Sequence, residues 1–233
     1  LFIFYVGDNS GDDVRIWWET TALDHSTQIS GEGWKHFVLT KSGTNLELFE
    51  NGSFVSSATT NNNKWESTFT GIGAGNNRGS LDQFFNGRLD DVRVYDRVLS
   101  ESEISGLYNM RSQRQQNING ANVEDLVLHL NARDKRSVDQ SNNRWKDISG
   151  NGNEAHGTSG NGVVDNNLFP NWEPVNGGRF ILNNSEGFNV PGPVETTGQV
   201  SLEIWFKRTD TSDDIGYLSD ARNGSGNWHL TNY

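Results

Sequence analysis

The sequence contains no cysteine. A disulfide framework and any thiolate metal site are therefore excluded, and an ion, where one is used, must be held by oxygen ligands. No stretch holds 18 consecutive apolar residues and no charged-then-apolar leader opens the chain, so neither a membrane-spanning helix nor a signal peptide is expected in it. Positive charge is also scarce: 19 Lys and Arg stand against 30 Asp and Glu, for a net charge of −11. That balance opposes binding to phosphate backbones, which needs clustered Lys and Arg to release counterions, so nucleic acid is not an expected partner. An acidic, Asn- and Gly-rich surface suits a module that must stay soluble in salt outside the cell or on a particle. Hydrophobic content is low at 33%, but 8 Trp and 12 Phe provide bulky core material. The 26 Gly suggest many tight turns between short strands, which favours an all-β protein. At 233 residues, one large β-sandwich or two small domains would fit.

The most informative stretch is Phe84 to Tyr108, where the hydrophobic period changes. Leu89, Val92, Val94 and Tyr95 come close to alternation, predicting a half-buried strand with Asp91 and Arg93 facing water. Ser100 and Glu103 then form a capping box. Leu99, Ile104, Leu107 and Tyr108 follow at helical spacing, so one short helix should begin there. Upstream, Leu1 to Gly7 and Val14 to Trp18 predict a hairpin across the turn Asp8 to Asp13. Trp34 to Leu39 and Leu46 to Val55 predict another pair around Ser42-Gly43-Thr44-Asn45, and Asn51-Gly52 adds a turn signal. Thr68 to Gly75 reads as a strand and Asn76 to Gln83 as a loop. From Arg111 to Asn122 apolar periodicity is lost, as in a linker.

The segment Gly-Arg-Leu-Asp-Asp-Val-Arg-Val-Tyr-Asp-Arg-Val-Leu-Ser, from Gly87 to Ser100, resembles the closing signature of laminin-G-like, concanavalin A-like jelly rolls. In that family a strand of this pattern is followed by a small helix that ends the domain. The run from Trp34 to Val55 is similar to the family's central Trp-x-His … Leu-x-Leu-Phe-x-Asn-Gly hairpin. Beyond the linker, four segments resemble the family's opening half in order: Asp125 to Ala132, Trp145 to Asn153, Gly178 to Leu182 and Val200 to Lys207. The resemblance implies an all-β, two-sheet antiparallel sandwich with one short helix, its halves in transposed order. Residues 1–110 correspond to the C-terminal half, 111–122 to a linker and 123–233 to the N-terminal half, together one domain equivalent, either permuted or cut from a tandem array. Leu1 to Val6 would then need a strand neighbour near Trp228 to Tyr233 or in another copy. The family serves chiefly as a non-catalytic adhesion or structural module of extracellular proteins and bacteriophage particles, and the opening half is similar to modules met in phage structural proteins. The expected setting is an extracellular or virion surface, and the expected partners are other copies or neighbouring repeats and surface glycans, without membrane insertion.

Carbohydrate binding is the first candidate chemistry, because exposed aromatics stack on sugar faces. Trp17, Trp18, Trp172, Trp228 and Tyr217 are the candidate aromatics, weighed against the usual burial of large aromatics in a core. Trp17 and Trp18 are neighbours on a strand, so one of them should point outward. Calcium is the second candidate: Asp147, Asn151 and Asn153 in Asp-x-Ser-Gly-Asn-Gly-Asn, together with the turn carrying Asp8, Asp12 and Asp13, cluster oxygen ligands on loops. The alternative for Asp147 and Asn151 is an Asx-turn serving their own backbone. Asp90 is expected to be a structural carboxylate satisfying loop amides. A carbohydrate-active enzyme, or its accessory binding domain, is the competing class. Glycan hydrolysis needs two carboxylates about 5–5.5 Å apart for retention, in a Glu-x-Asp-x-(x)-Glu pattern, but Glu203 has Trp205 and Lys207 at the corresponding positions. The five His are scattered at 25, 36, 129, 156 and 229, with no metal-binding His pair and no nucleophile-base arrangement. Alternation also predicts that Trp205 and Phe180 are core residues while Lys207 and Arg179 are solvated.

Overall fold

The computed structural model describes residues 2–8, 11–18, 21–27, 33–61, 69–77, 80–112, 125–158, 164–183, 186–191, 194, 196, 198–208 and 215–221. The strands before the helix are β1 (Phe2–Asp8), β2 (Gly11–Trp18), β3 (Thr21–Ser26), β4 (Lys35–Ser42), β5 (Asn45–Glu50), β6 (Ser53–Thr59), β7 (Phe69–Ile72), β8 (Ala74–Asn77), β9 (Ser80–Phe84) and β10 (Gly87–Tyr95). Helix α1 spans Glu101–Ser112. After it come β11 (Leu126–Leu130), β12 (Val138–Asp139), β13 (Arg144–Trp145), β14 (Ala155–Thr158), β15 (Asn171–Glu173), β16 (Arg179–Leu182), β17 (Gly187–Pro191), β18 (Val200–Arg208) and β19 (Ile215–Ala221). The segment expected as a loop from Asn76 to Gln83 instead carries most of the β8–β9 hairpin.

Two large antiparallel sheets form the molecule. A nine-stranded sheet runs β12-β13-β14-β17-β7-β19-β1-β2-β3, and an eight-stranded sheet runs β15-β16-β10-β18-β4-β5-β6 with β11 also on β10. Strands from before residue 113 and after residue 124 contribute to both sheets and interleave at their centres. β7 lies between β17 and β19, and β18 lies between β10 and β4. β1 pairs with β2 on one side and with β19 on the other. The expected neighbour of β1 at Trp228 to Tyr233 lies outside the described residues.

The inward faces of the sheets meet in one apolar core. Ile16, Ile72, Trp145 and Phe188 of the first sheet join Phe37, Leu48, Leu89, Phe180 and Phe206 of the second. Strand alternation produces this layer: Leu202, Ile204 and Phe206 point inward while Ser201, Glu203 and Trp205 point out. Phe180 is a core residue as predicted. Trp205 is buried at 4% exposure but on the opposite face from the inter-sheet core, which corrects its expected position.

Helix α1 covers part of that outer face. The capping box forms as the sequence predicts: Ser100 N donates to Glu103 Oε2 at 2.8 Å, and Glu103 N donates to Ser100 Oγ at 3.3 Å. Arg97 adds a fork onto Glu103 at 2.7 and 3.0 Å. Leu99, Ile104 and Leu107 pack with Val38, Phe49, Tyr95 and Leu126 in a second apolar cluster between helix and sheet. A third layer thus lies over the sandwich. Ser201 ties it down, accepting Leu99 N–H and donating to Arg97 O, both at 2.8 Å. At the Asn51-Gly52 turn both residues adopt positive φ, 51° and 81°, the conformation a tight hairpin requires.

Candidate functional site

The strand expected to face water with Asp91 and Arg93 is covered on both sides: the two residues are 8% and 7% exposed. β10 is an interior strand, taking β18 along one edge and, along the other, β16 at its start and β11 at its end, and its outer face is covered by partner charges and by α1. The change of neighbour falls at Asp90 and Asp91, where the pairing with β18 shifts register. Asp91 there adopts φ 52°, a left-handed conformation that Asp tolerates better than most residues. Leu89 and Val92 both keep to the inter-sheet core across this bulge.

The bulge directs its carboxylates into a buried polar network on the outer face. Arg93 Nη2 donates to Asp91 Oδ2 at 2.8 Å and Nη1 to Glu203 Oε2 at 3.0 Å. Its Nε donates to His129 Nε2 at 3.0 Å, and that ring nitrogen also lies 3.1 Å from Asp91 Oδ1. Glu203 Oε1 is 3.1 Å from His36 Nε2 and accepts Trp205 Nε1–H at 3.2 Å. Aromatic rings close the top: Tyr108 of α1 lies parallel to Trp205 at 5.7 Å, and the His36 ring is 4.5 Å from Trp205. Asp90, fully buried, accepts Arg133 Nε at 2.8 Å, so its partner is a guanidinium.

The electrostatics are those of a structural cluster. Burial alone would raise the Glu203 carboxyl, but the Arg93 charge and the His36 hydrogen bond outweigh it and hold the group below its ordinary value. Burial likewise would lower Arg93, and Asp91 and Glu203 reverse this, so the guanidinium is held in its charged form. Tyr95, raised by burial and then by Glu203, stays protonated beside them. A general acid for glycoside cleavage needs a raised carboxyl pKa, and Glu203 has the opposite perturbation.

Of the predicted sugar-stacking residues, Trp18 and Trp172 have described side chains, and they stand in different sheets. Trp18 is 1% exposed in the core with the Lys41 ammonium 5.0 Å over its ring, so it presents no face to a sugar. Trp17 lies in β2 opposite Ile3 and Ala22, and its side chain is outside the described residues, as is that of Tyr217 in β19. Trp228 lies wholly outside them. Trp172 is half-buried at the β15 edge, packed against the core, with Nε1 donating to Ala132 O at 2.9 Å.

The proposed calcium loop is filled by its own donors. Asp147 Oδ1 accepts His129 N–H and Ser149 N–H at 2.9 and 2.8 Å, while Oδ2 accepts Ser149 Oγ and Asn153 N–H at 2.8 and 3.0 Å. Asn151 Nδ2 donates to Leu126 O at 2.9 Å, and Asn153 Nδ2 to Val127 O at 2.9 Å. Asp147 Oδ1 thus ties the loop to β11 and both oxygens accept from the loop itself, the arrangement of an Asx-turn. Among the described residues no group of three or more His, Asp or Glu is placed to hold a metal ion. Asp8, Asp12 and Asp13 have side chains outside the described residues.

Local spacing could not reveal the network, because Glu203 lies 110 positions from Arg93 and 167 from His36. The available signal was a charge in mid-strand between apolar residues, as in Val-Arg-Val and Leu-Glu-Ile. No helix among the described residues is long and apolar enough to cross a membrane. No curated protein and no solved structure matches the chain. Residues 2–105, covering β1 to β10 and the capped start of α1, match the family described as the concanavalin A-like lectin/glucanases superfamily, in its laminin G form. Over those residues the chain is similar to a laminin-G-like jelly roll of that superfamily, in keeping with its antiparallel two-sheet architecture.

Proposed function

We propose that this domain is a non-catalytic attachment and structural module of a large extracellular or virion surface assembly, and that it binds glycans there. The supporting observation is the state of its buried carboxylates. Asp91 and Glu203 share one guanidinium, and Glu203 is held below its ordinary pKa, so the pair lacks the raised acid that glycan hydrolysis needs. The polar groups of the sheet serve to join strands. Residues 1–110 and 123–233 are the complementary halves of the sandwich in this reading, with neighbouring repeats or further copies as partners. Trp172, half-buried and fixed through its indole N–H, is the described aromatic candidate best placed for a sugar contact.

The test is a glycan array combined with a hydrolysis assay on the retained sugars. The reading expects at least one saccharide class to be retained without turnover. Turnover abolished by replacing a single carboxylate would show the domain to be an enzyme and sink the proposal.

A further inference from the structure

The strands before residue 113 close neither sheet by themselves. In the eight-stranded sheet they leave a slot one strand wide between β10 and β4, and in the nine-stranded sheet another between β7 and β1. β18 fills the first slot and β19 the second. Among the described residues each pairs on both edges with strands of the first half and with no strand of its own half.

The side chains of β18 follow the same division. On its inward face Phe206 stacks on Phe37 at 5.5 Å and meets Phe85 edge-on at 6.1 Å, beside Leu202 and Ile204 in the core. On its outward face Ser201 accepts Leu99 N–H and donates to Arg97 O, Glu203 meets Arg93 and His36, and Trp205 lies parallel to Tyr108. All these partners lie in residues 1–110. The strand is thus held by its backbone on two edges and by its side chains on two faces, the geometry in which a donated strand completes another subunit's sheet.

Slot and strand make the same contacts whether they come from one chain or from two. Exchange between copies therefore competes with self-closure once their local concentration approaches that of the tethered half, roughly the mM range for a short link. The covalent link 113–124 reaches at most about 40–43 Å when extended, enough to carry the second half to an adjoining copy.

We infer that β18 and β19 are donor strands, and that the two slots accept the same strands from a second copy of this chain. The inference rests on the part of the proposed function that takes further copies as partners, and names the surface by which they join. Donor and slot lie on different halves, so the contact is heterologous and propagates: a copy that gives its second half to a neighbour keeps open slots for the next.

The test refolds full-chain variants alone and together. Phe37→Asp spoils the slot and Phe206→Asp the donor strand, and each alone should lose the cooperative unfolding transition, because it buries an unpaired charge. Refolded together, the intact slot of one and the intact donor of the other should restore the transition in a heterodimer whose yield rises with concentration. A second measurement serves if either variant still folds alone. Arg88 and Lys207 stand opposite each other in the β10–β18 ladder, and the chain has no cysteine of its own. Arg88→Cys and Lys207→Cys in separate chains refolded together should form a disulfide between chains, which Gln199→Cys, exposed and out of register with Arg88, should not. The double variant in one chain establishes that the pair can bond. Failure of the mixed Asp variants to regain the transition, together with no interchain disulfide where the double variant bonds, overturns the inference. Copies that associate only as closed single-chain sandwiches also overturn exchange but leave the partnership of copies standing, whereas a chain that stays monomeric at every concentration overturns both.

Discussion

Arg93 and Glu203, 110 positions apart in the sequence, meet at 3.0 Å on the outer face of the eight-stranded sheet and are both buried. Replacing Arg93 with Met leaves Asp91 and Glu203 as uncompensated buried carboxylates and should cost on the order of 3–5 kcal/mol. Replacing both Arg93 and Glu203 should cost less than the sum of the single changes, because each single change strands the other's charge. Chemical denaturation of the three variants checks this, and additive losses would show that the pair is not coupled.

Trp205 belongs to the layer under α1 and not to the inter-sheet core. Trp205→Ala should cost about 3–5 kcal/mol, as for other large buried aromatics. Trp205→Phe should recover most of that loss but not the hydrogen bond to Glu203 Oε1 or the full parallel stack on Tyr108. Hydrogen exchange on α1 provides the discriminating measurement: Trp205→Ala should deprotect the helix, whereas Phe206→Ala should act on the inter-sheet core.

The N-terminus of α1 should confer acid sensitivity. The Glu103 carboxyl is lowered from 4.5 to about 2, first by Arg97 and, against the opposing effect of burial, also by Ser100. A depressed folded-state pKa gives stability that is complete above 4.5 and lost as pH falls toward 2. Glu103→Gln should therefore destabilise the protein at neutral pH by roughly 0.5–1 kcal/mol, the scale of a part-exposed pair, and converge on the parent protein near pH 2. A constant difference across that range would disprove the assignment.

Asp147 acts as a loop clamp. Asp147→Ala removes four accepted hydrogen bonds and should cost roughly 2–3 kcal/mol, within the range for bonds to a charged group. Adding calcium or a chelator should move the melting temperature of the parent protein and of Asp147→Ala equally. A calcium-dependent rise in the parent alone would return this loop to the metal ligands.

The elements that could be read from the sequence are those written in local spacing. The Ser100–Glu103 box, the Asn51-Gly52 turn and the alternating strands of β4, β5, β16 and β18 each occupy a few consecutive residues with a fixed period. The failures have a common physical cause. Asp91 and Arg93 were expected in water because alternation reports which side of a strand is apolar, not whether a helix or a partner charge covers its other side. Trp205 could not be assigned to a face from its size, since both faces of the eight-stranded sheet bury aromatics. The opposition of Arg88 and Lys207 depends on strand register, which is fixed by contacts far apart in the chain.

The pairing of β1 with β19 places Ile3 opposite Ser219. During synthesis, β1 must wait for a partner made far later in the chain, and β4 likewise waits for β18. Until then the early strands present bare edges, the condition in which chains adhere to one another. With so many distant contacts, refolding should be slow compared with that of helical proteins of similar stability. A chaperone or the growing assembly itself would shorten the interval of exposure.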